Sequence, residues 1–250
     1  MELAAWQAEA AGQSTTSQNE NTAEDGGERY SIAKTAKMDY FTQLREVERG
    51  ELNGSNYLYI GTPDAALQQA GVSAAPFSMS QKDYRKSRRT EGNNAHYSAH
   101  NVPYSFFEVL PQKLAEAPLV VDNGNKMTVI TDEAMDDTKG NASYVVVGVE
   151  RDVPIDFTQH MNQVKSVYPW DNFTKNITLA AESGSLVVTN KNKAEQILRT
   201  IGITPAEVSR ILNLAKTTIS QISTSVNPQS GVLQSTVSAL QTTVFLLCAK

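Results

Sequence analysis

Three histidines occur in 250 residues, and two of them, His96 and His100, lie four apart just beyond the densest basic cluster, Lys82, Arg85, Lys86, Arg88 and Arg89. Tyr84, Tyr97 and Tyr104 fall in the same stretch. Arginine forks onto phosphate through paired N–H groups. Histidine titrates near neutral pH and moves protons in either direction. Cleaving RNA without a metal needs a base for the 2′-hydroxyl, an acid for the leaving oxygen and a cation for the charge on phosphorus. This stretch holds all three residue types. His100 and His96 are the proton-transfer candidates, with Arg85 and Arg88 beside them. Lys82, Lys86 and Arg89 are candidates for holding phosphate, and Tyr84, Tyr97 and Tyr104 for stacking or donating. Ser166 and Tyr168, ending a helix before Pro169, are candidates to reach the site from the other side, with Tyr168 reading equally well as core.

Blander readings of the same residues exist. A basic run on a helix is most often a solvated face. Such a face would bind nucleic acid or a partner protein without turning it over. His96 and His100 at i and i+4 also share a helical face, the spacing that suits zinc. A third ligand would then have to be His160 or a carboxylate, and Gly92-Asn93-Asn94 argues against a regular helix leading in. No metal and no cofactor is therefore expected. Asp136-Asp137 reads as a turn. The chain lacks Gly-x-Ser-x-Gly, a Walker loop and a dinucleotide glycine pattern. The single cysteine, Cys248, sits in a polar tail and makes a poor nucleophile.

The elements that must position these residues follow from pattern. Residues 1–37 read as a polar linker, disordered or weakly helical, with no large aliphatic or aromatic side chain from Gly12 to Arg29. Met38, Phe41, Leu44 and Val47, spaced by three, predict a connecting helix within residues 38–56. Leu58-Tyr59-Ile60 predicts a short strand, and Thr62-Pro63 a helix start with a hydroxyl cap and proline at the first position. Pro76 to Met79 reads as extended, and Ser80 caps the basic helix that runs to about Arg89. Pro103 opens a helix carrying Phe106, Phe107, Leu110 and Leu114. Leu119–Val121, Met127–Thr131 and Ser143–Glu150 predict an antiparallel meander, turned first at Asn123-Gly124. Thr158 to Val167 reads as a helix, with Met161, Val164 and Val167 in phase. A helix capped by Asp171, a fourth strand at Leu186–Val188 and helices at Lys193–Ile201 and Pro205–Lys216 complete an α+β domain over residues 57–216. Residues 217–250 read as a poorly structured tail.

The order of these pieces resembles the C-terminal domain appended to phage Mu-F-type head proteins, which also occurs in large polyvalent proteins of phages and conjugative elements. Ile60-Gly61-Thr62-Pro63 with Leu67 and Gly71 looks like its start. His100, the helix ending in Leu110-Pro111, and Ala117-Pro118 look like its middle. Val164 to Tyr168 and Leu186 to Lys191 look like its end. The resemblance implies a fold similar to barnase, EndoU, colicin-type and RelE nucleases: N-terminal helices packed on a four-stranded, mainly antiparallel sheet, with further C-terminal helices. It implies a ribonuclease effector whose activity is itself inferred, with His100 as the residue carried over, RNA as substrate and an immunity partner or larger polyvalent protein as context. A net charge of −5 gives no chain-wide basic character of the kind that coats nucleic acid. Val244–Ala249 is far too short to span a bilayer, which takes roughly 20 residues. With no signal peptide, the expected location is cytoplasmic, reached by delivery with phage or conjugative DNA. The polar linker and tail read as junctions of a larger protein.

Overall fold

The computed structural model describes residues 38–52, 57–90, 100–155 and 159–218. The linker, His96, Tyr97 and nearly all of the tail lie outside them. Among the described residues the architecture is α+β, but the sheet has eight strands instead of four, and helices cover both of its faces.

The chain enters through α1 (Tyr40–Arg49), capped by Asp39 and closed by Gly50 in the left-handed region. Leu44 and Val47 are buried as their spacing predicts, whereas Phe41 stays 54% exposed. β1 (Leu58–Gly61) follows, then α2 (Ala65–Gln69), whose cap is not Thr62 but Asp64, two residues further on: its carboxylate accepts from the Leu67 amide at 2.8 Å. β2 (Phe77–Met79) leads into the basic helix α3 (Gln81–Arg88). The helix predicted after Pro103 is divided at Val109 into α4 (Tyr104–Glu108) and α5 (Leu110–Ala115). The meander is present as β3 (Leu119–Asn123), β4 (Lys126–Ala134) and β5 (Tyr144–Pro154). Next comes β6 (His160–Pro169), then α6 (Phe173–Glu182), β7 (Leu186–Val188), α7 (Lys191–Thr200), α8 (Pro205–Leu214) and the two-residue β8 (Lys216–Thr217).

The strand order is β1-β2-β6-β5-β4-β3-β7-β8. β2 runs parallel to β6 and β7 parallel to β8; the other neighbours are antiparallel. The consecutive valines of β5 explain why both faces need cover. Val145 and Val147 enter a core with Leu44, Phe77, Phe107 and Leu114, while Val146 enters another with Phe173, Ile177 and Ile211. A strand buried on both sides reads as an unbroken apolar run.

The segment read as a helix over Thr158–Val167 is largely β6, the longest departure from the sequence expectation. Its apolar residues do recur every third position, and the cause is a β-bulge. Gly148 pairs with Ser166 and Val149 with Val164, leaving Lys165 unpaired. One extra residue puts Val164 and Val167 on the same face although they are three apart. α6 also differs at its start: Asn172, not Asp171, is the cap residue, and the Asp171 carboxylate instead accepts from Thr138. No described helix is long and apolar enough to cross a membrane.

Candidate functional site

Helix α3 is built to present its charges. Ser80 accepts from the Asp83 amide at 3.1 Å and donates to its carboxylate at 2.7 Å, which fixes the first turn. Tyr84 and Ser87 are buried, and Lys82, Arg85 and Arg89 stand exposed. β2 covers β6 only at Asn162–Val164. Beyond that point the Val167 amide would face no partner strand, and the Ser87 hydroxyl accepts its hydrogen bond at 3.0 Å while donating to the Asp83 carbonyl at 2.9 Å. One small side chain thus ties the basic helix to the sheet edge.

The chain returns to the same helix end. The Asn101 amide donates to the Arg89 carbonyl at 3.0 Å and the Val102 amide to the Ser87 carbonyl at 3.1 Å. His100 is therefore held beside the C-terminal turn of α3. Its ring meets the Tyr168 ring edge-on, with centroids 5.3 Å apart. Nδ1 is buried without a hydrogen-bond partner. Burial of the ring, followed by the charges of Lys86 and Arg89, pushes its pKa below the ordinary 6.5; the Val167 backbone and Asp171 oppose the shift. The shift favours the neutral imidazole over the charged one.

The remaining predicted residues divide between this place and another. Tyr168 meets the His100 ring, and Lys86 and Arg89 are near enough for their charges to act on it. Ser166 lies two residues from Tyr168 on the same strand and the same side, its hydroxyl over Gly148. Tyr84, Arg88 and Tyr104 turn toward α1. The Tyr84 hydroxyl donates to Glu48, and burial first, then that hydrogen bond, raises its pKa. Arg88 Nε sits 3.2 Å from the same carboxylate, and its guanidinium lies 5.4 Å from the Tyr104 ring centre. Those three residues hold α1, α3 and α4 together. Arg85, Arg88 and Arg89 line an open concavity of about 530 Å³ over Tyr84 and Val47. Lys82 is exposed one turn earlier.

Sequence reasoning missed Glu48, Ser87 and Asp171. Nothing in their local pattern marks them, since each acts through a residue distant in the chain. Asp136-Asp137 is the predicted turn: the Asp137 carboxylate accepts from the Lys139 and Asn141 amides and from the Asn141 side chain, which hold its pKa at about 2. Among the described residues no three His, Cys, Asp or Glu side chains are grouped to hold a metal ion.

Comparison with models of known protein families, with curated proteins and with solved structures yields no match.

Proposed function

We propose that the chain binds single-stranded RNA along α3 and cleaves it by acid–base chemistry at His100. The observation that carries this reading is the half-exposed ring of His100, held against the C-terminal end of the basic helix by the Asn101 and Val102 amides. Neutral His100 takes the proton of the 2′-hydroxyl, and that oxygen attacks the adjacent phosphorus. Arg89 and Lys86 carry the growing charge on the phosphoryl oxygens. The 5′-oxygen departs with a proton from the Lys86 ammonium, leaving a 2′,3′-cyclic phosphate and a 5′-hydroxyl. The resemblance to Mu-F-type C-terminal domains supports the same chemistry, although that resemblance implies four strands where this sheet has eight.

His100→Ala is expected to abolish cleavage of total bacterial RNA in EDTA while leaving RNA affinity within about threefold. Lys86→Arg should keep binding and lose most of the turnover, because guanidinium does not release its proton. Cleavage by His100→Ala at the wild-type rate would overturn the assignment.

A second reading is a binding module without turnover, in a mobile-element protein. It is favoured by the engagement of Arg88 and Tyr84 with Glu48, which leaves fewer groups for chemistry. Salt-sensitive RNA binding by wild type with no cleavage would select it.

A further inference from the structure

Two concavities meet at the loop that carries His100. One is the arginine-lined hollow over Tyr84 and Val47, bordered by Arg89. The other is a cavity of about 340 Å³ whose lining includes Asn101, Pro103, Phe106, Glu133, Met135 and Val145. The 3.0 Å hydrogen bond from the Asn101 amide to the Arg89 carbonyl joins a residue of the second to a residue of the first. His100 directly precedes Asn101. The sheet connects them as well. Val145 pairs with Pro169 and Val146 with Tyr168, the residue whose ring meets His100. The cavity floor is therefore one strand spacing, about 5 Å, from the backbone next to that tyrosine.

The second cavity has a built wall. Ile130 pairs with Val146 and Ala134 with Tyr144, so β4 takes four steps where β5 takes two. A bulge of this kind re-aims the side chains around it. Thr131, 0% exposed, braces it: the hydroxyl donates to the Val145 carbonyl at 2.7 Å and accepts from the Glu133 amide at 3.3 Å. Glu133 and Met135 reach the cavity from the end of β4, and Pro103 and Phe106 from the start of α4. Phe106 and Val145 are buried and Met135 is half-exposed, so the inside is apolar. The polar groups are the exposed Asn101 side chain and the half-exposed Glu133 carboxylate. Lys113 holds Glu133 Oε2 at 2.9 Å, and no hydrogen bond from the described residues reaches Oε1. An apolar cavity with a few polar groups is the usual form of a small-ligand site.

We infer that this cavity takes the base of the nucleotide whose 2′-hydroxyl faces His100, and that it selects bases carrying an exocyclic amino group. The inference rests on the ribonucleic-acid reading of the basic helix. A base is a flat ring with its polar groups on the edge. Its faces suit Phe106, Met135 and Val145, and its edge suits Glu133 and Asn101. An ionised carboxylate only accepts hydrogen bonds. The amino groups of cytosine and adenine donate to it. Uracil would turn a carbonyl oxygen toward it instead. The Asn101 amide both donates and accepts, so it can serve the ring nitrogen beside the amino group. The phosphates stay with Lys86 and Arg89 on the helix.

The test is an amide- and methyl-resolved NMR titration of the full chain with two 2′-O-methyl RNA hexamers, all-cytosine and all-uracil, which bind but offer no 2′-hydroxyl for cleavage. With the cytosine hexamer, shifts are expected at Asn101, Met135 and Val145 together with Lys86 and Arg89. Its binding should be about tenfold tighter than that of the uracil hexamer, the scale of one base-edge contact. Shifts confined to α3 and His100 would overturn the base site and leave the RNA-binding reading standing. No shift anywhere would overturn both. Glu133→Gln leaves Lys113 its 2.8 Å contact with Asp132. It should bring the preference for cytosine below about threefold, because an amide serves either base. Ala134→Phe, which fills the cavity from an exposed position at the end of β4, should weaken binding of the cytosine hexamer about tenfold. A folded Ala134→Phe protein with unchanged affinity, or equal affinity of wild type for the two hexamers, would also overturn the inference.

Discussion

His100 derives its chemistry from what surrounds the ring. Removing an imidazole from water penalises its charged form, and two neighbouring cations add to that penalty. Its pKa in the folded chain is therefore below the ordinary 6.5. The unfolded chain takes up a proton first as pH falls, so stability drops downward from about 6.5 until the folded pKa is passed, and is fully present above that window. The groups facing the ring are Lys86 and Arg89 from α3, Tyr168 from β6 and Asp171 after it. His100→Asn should flatten this part of the stability profile, read as denaturation midpoints from about pH 7.5 to pH 5. An unchanged profile would show that the ring titrates as a solvent-exposed histidine. The sequence suggested His100 because a titratable group beside a basic run is visible locally. It could not separate Lys86 and Arg89 from Arg88, since the difference is which carboxylate each faces across the fold. Glu48 lies 40 residues before Arg88 and claims it.

At the scale of elements, the site depends on how α3 meets β6. The helix was legible because its cap and its basic face are local features. The strand was not, because a bulge at Lys165 gave its apolar residues a helical spacing. Pattern reasoning assumes an unbroken period, and one inserted residue is enough to change the period it reports. The outermost strand β8 was hidden for another reason: two residues are too few to show any alternation. Ser87 is the link between helix and strand, fully buried and shared between the Val167 amide and the Asp83 carbonyl. Ser87→Ala removes the acceptor of that amide. The expected cost is about 1–3 kcal/mol. Hydrogen exchange at Val167 should quicken more than at Val146, which lies in the middle of the sheet. A Val167 amide as protected as in wild type would place the anchor elsewhere.

Across the whole molecule, the sheet separates two cores that share its strands. Val145, Val147 and Val149 serve one, Tyr144 and Val146 the other, so neither core exists without β5. Asp132 at the end of β4 joins the layers again: Lys113 of α5 reaches one of its oxygens at 2.8 Å and Lys193 of α7 the other at 3.3 Å. The described residues should therefore unfold as one cooperative unit. Trp170 packs against Phe173 in the α6–α8 core, with ring centres 5.7 Å apart, and reports on that face alone once Trp6, outside the described residues, is replaced by Phe. Leu44 is fully buried in the opposite core. In the Trp6→Phe background, Leu44→Ala should cost about 2–5 kcal/mol. Because β5 couples the faces, it should lower the denaturation midpoint seen by Trp170 fluorescence as far as the midpoint seen by far-UV circular dichroism. A Trp170 transition that stays in place while the circular dichroism shifts would mean that the α6–α8 layer and its strands hold together without the other core. The site at α3 would then belong to the less stable half of the molecule.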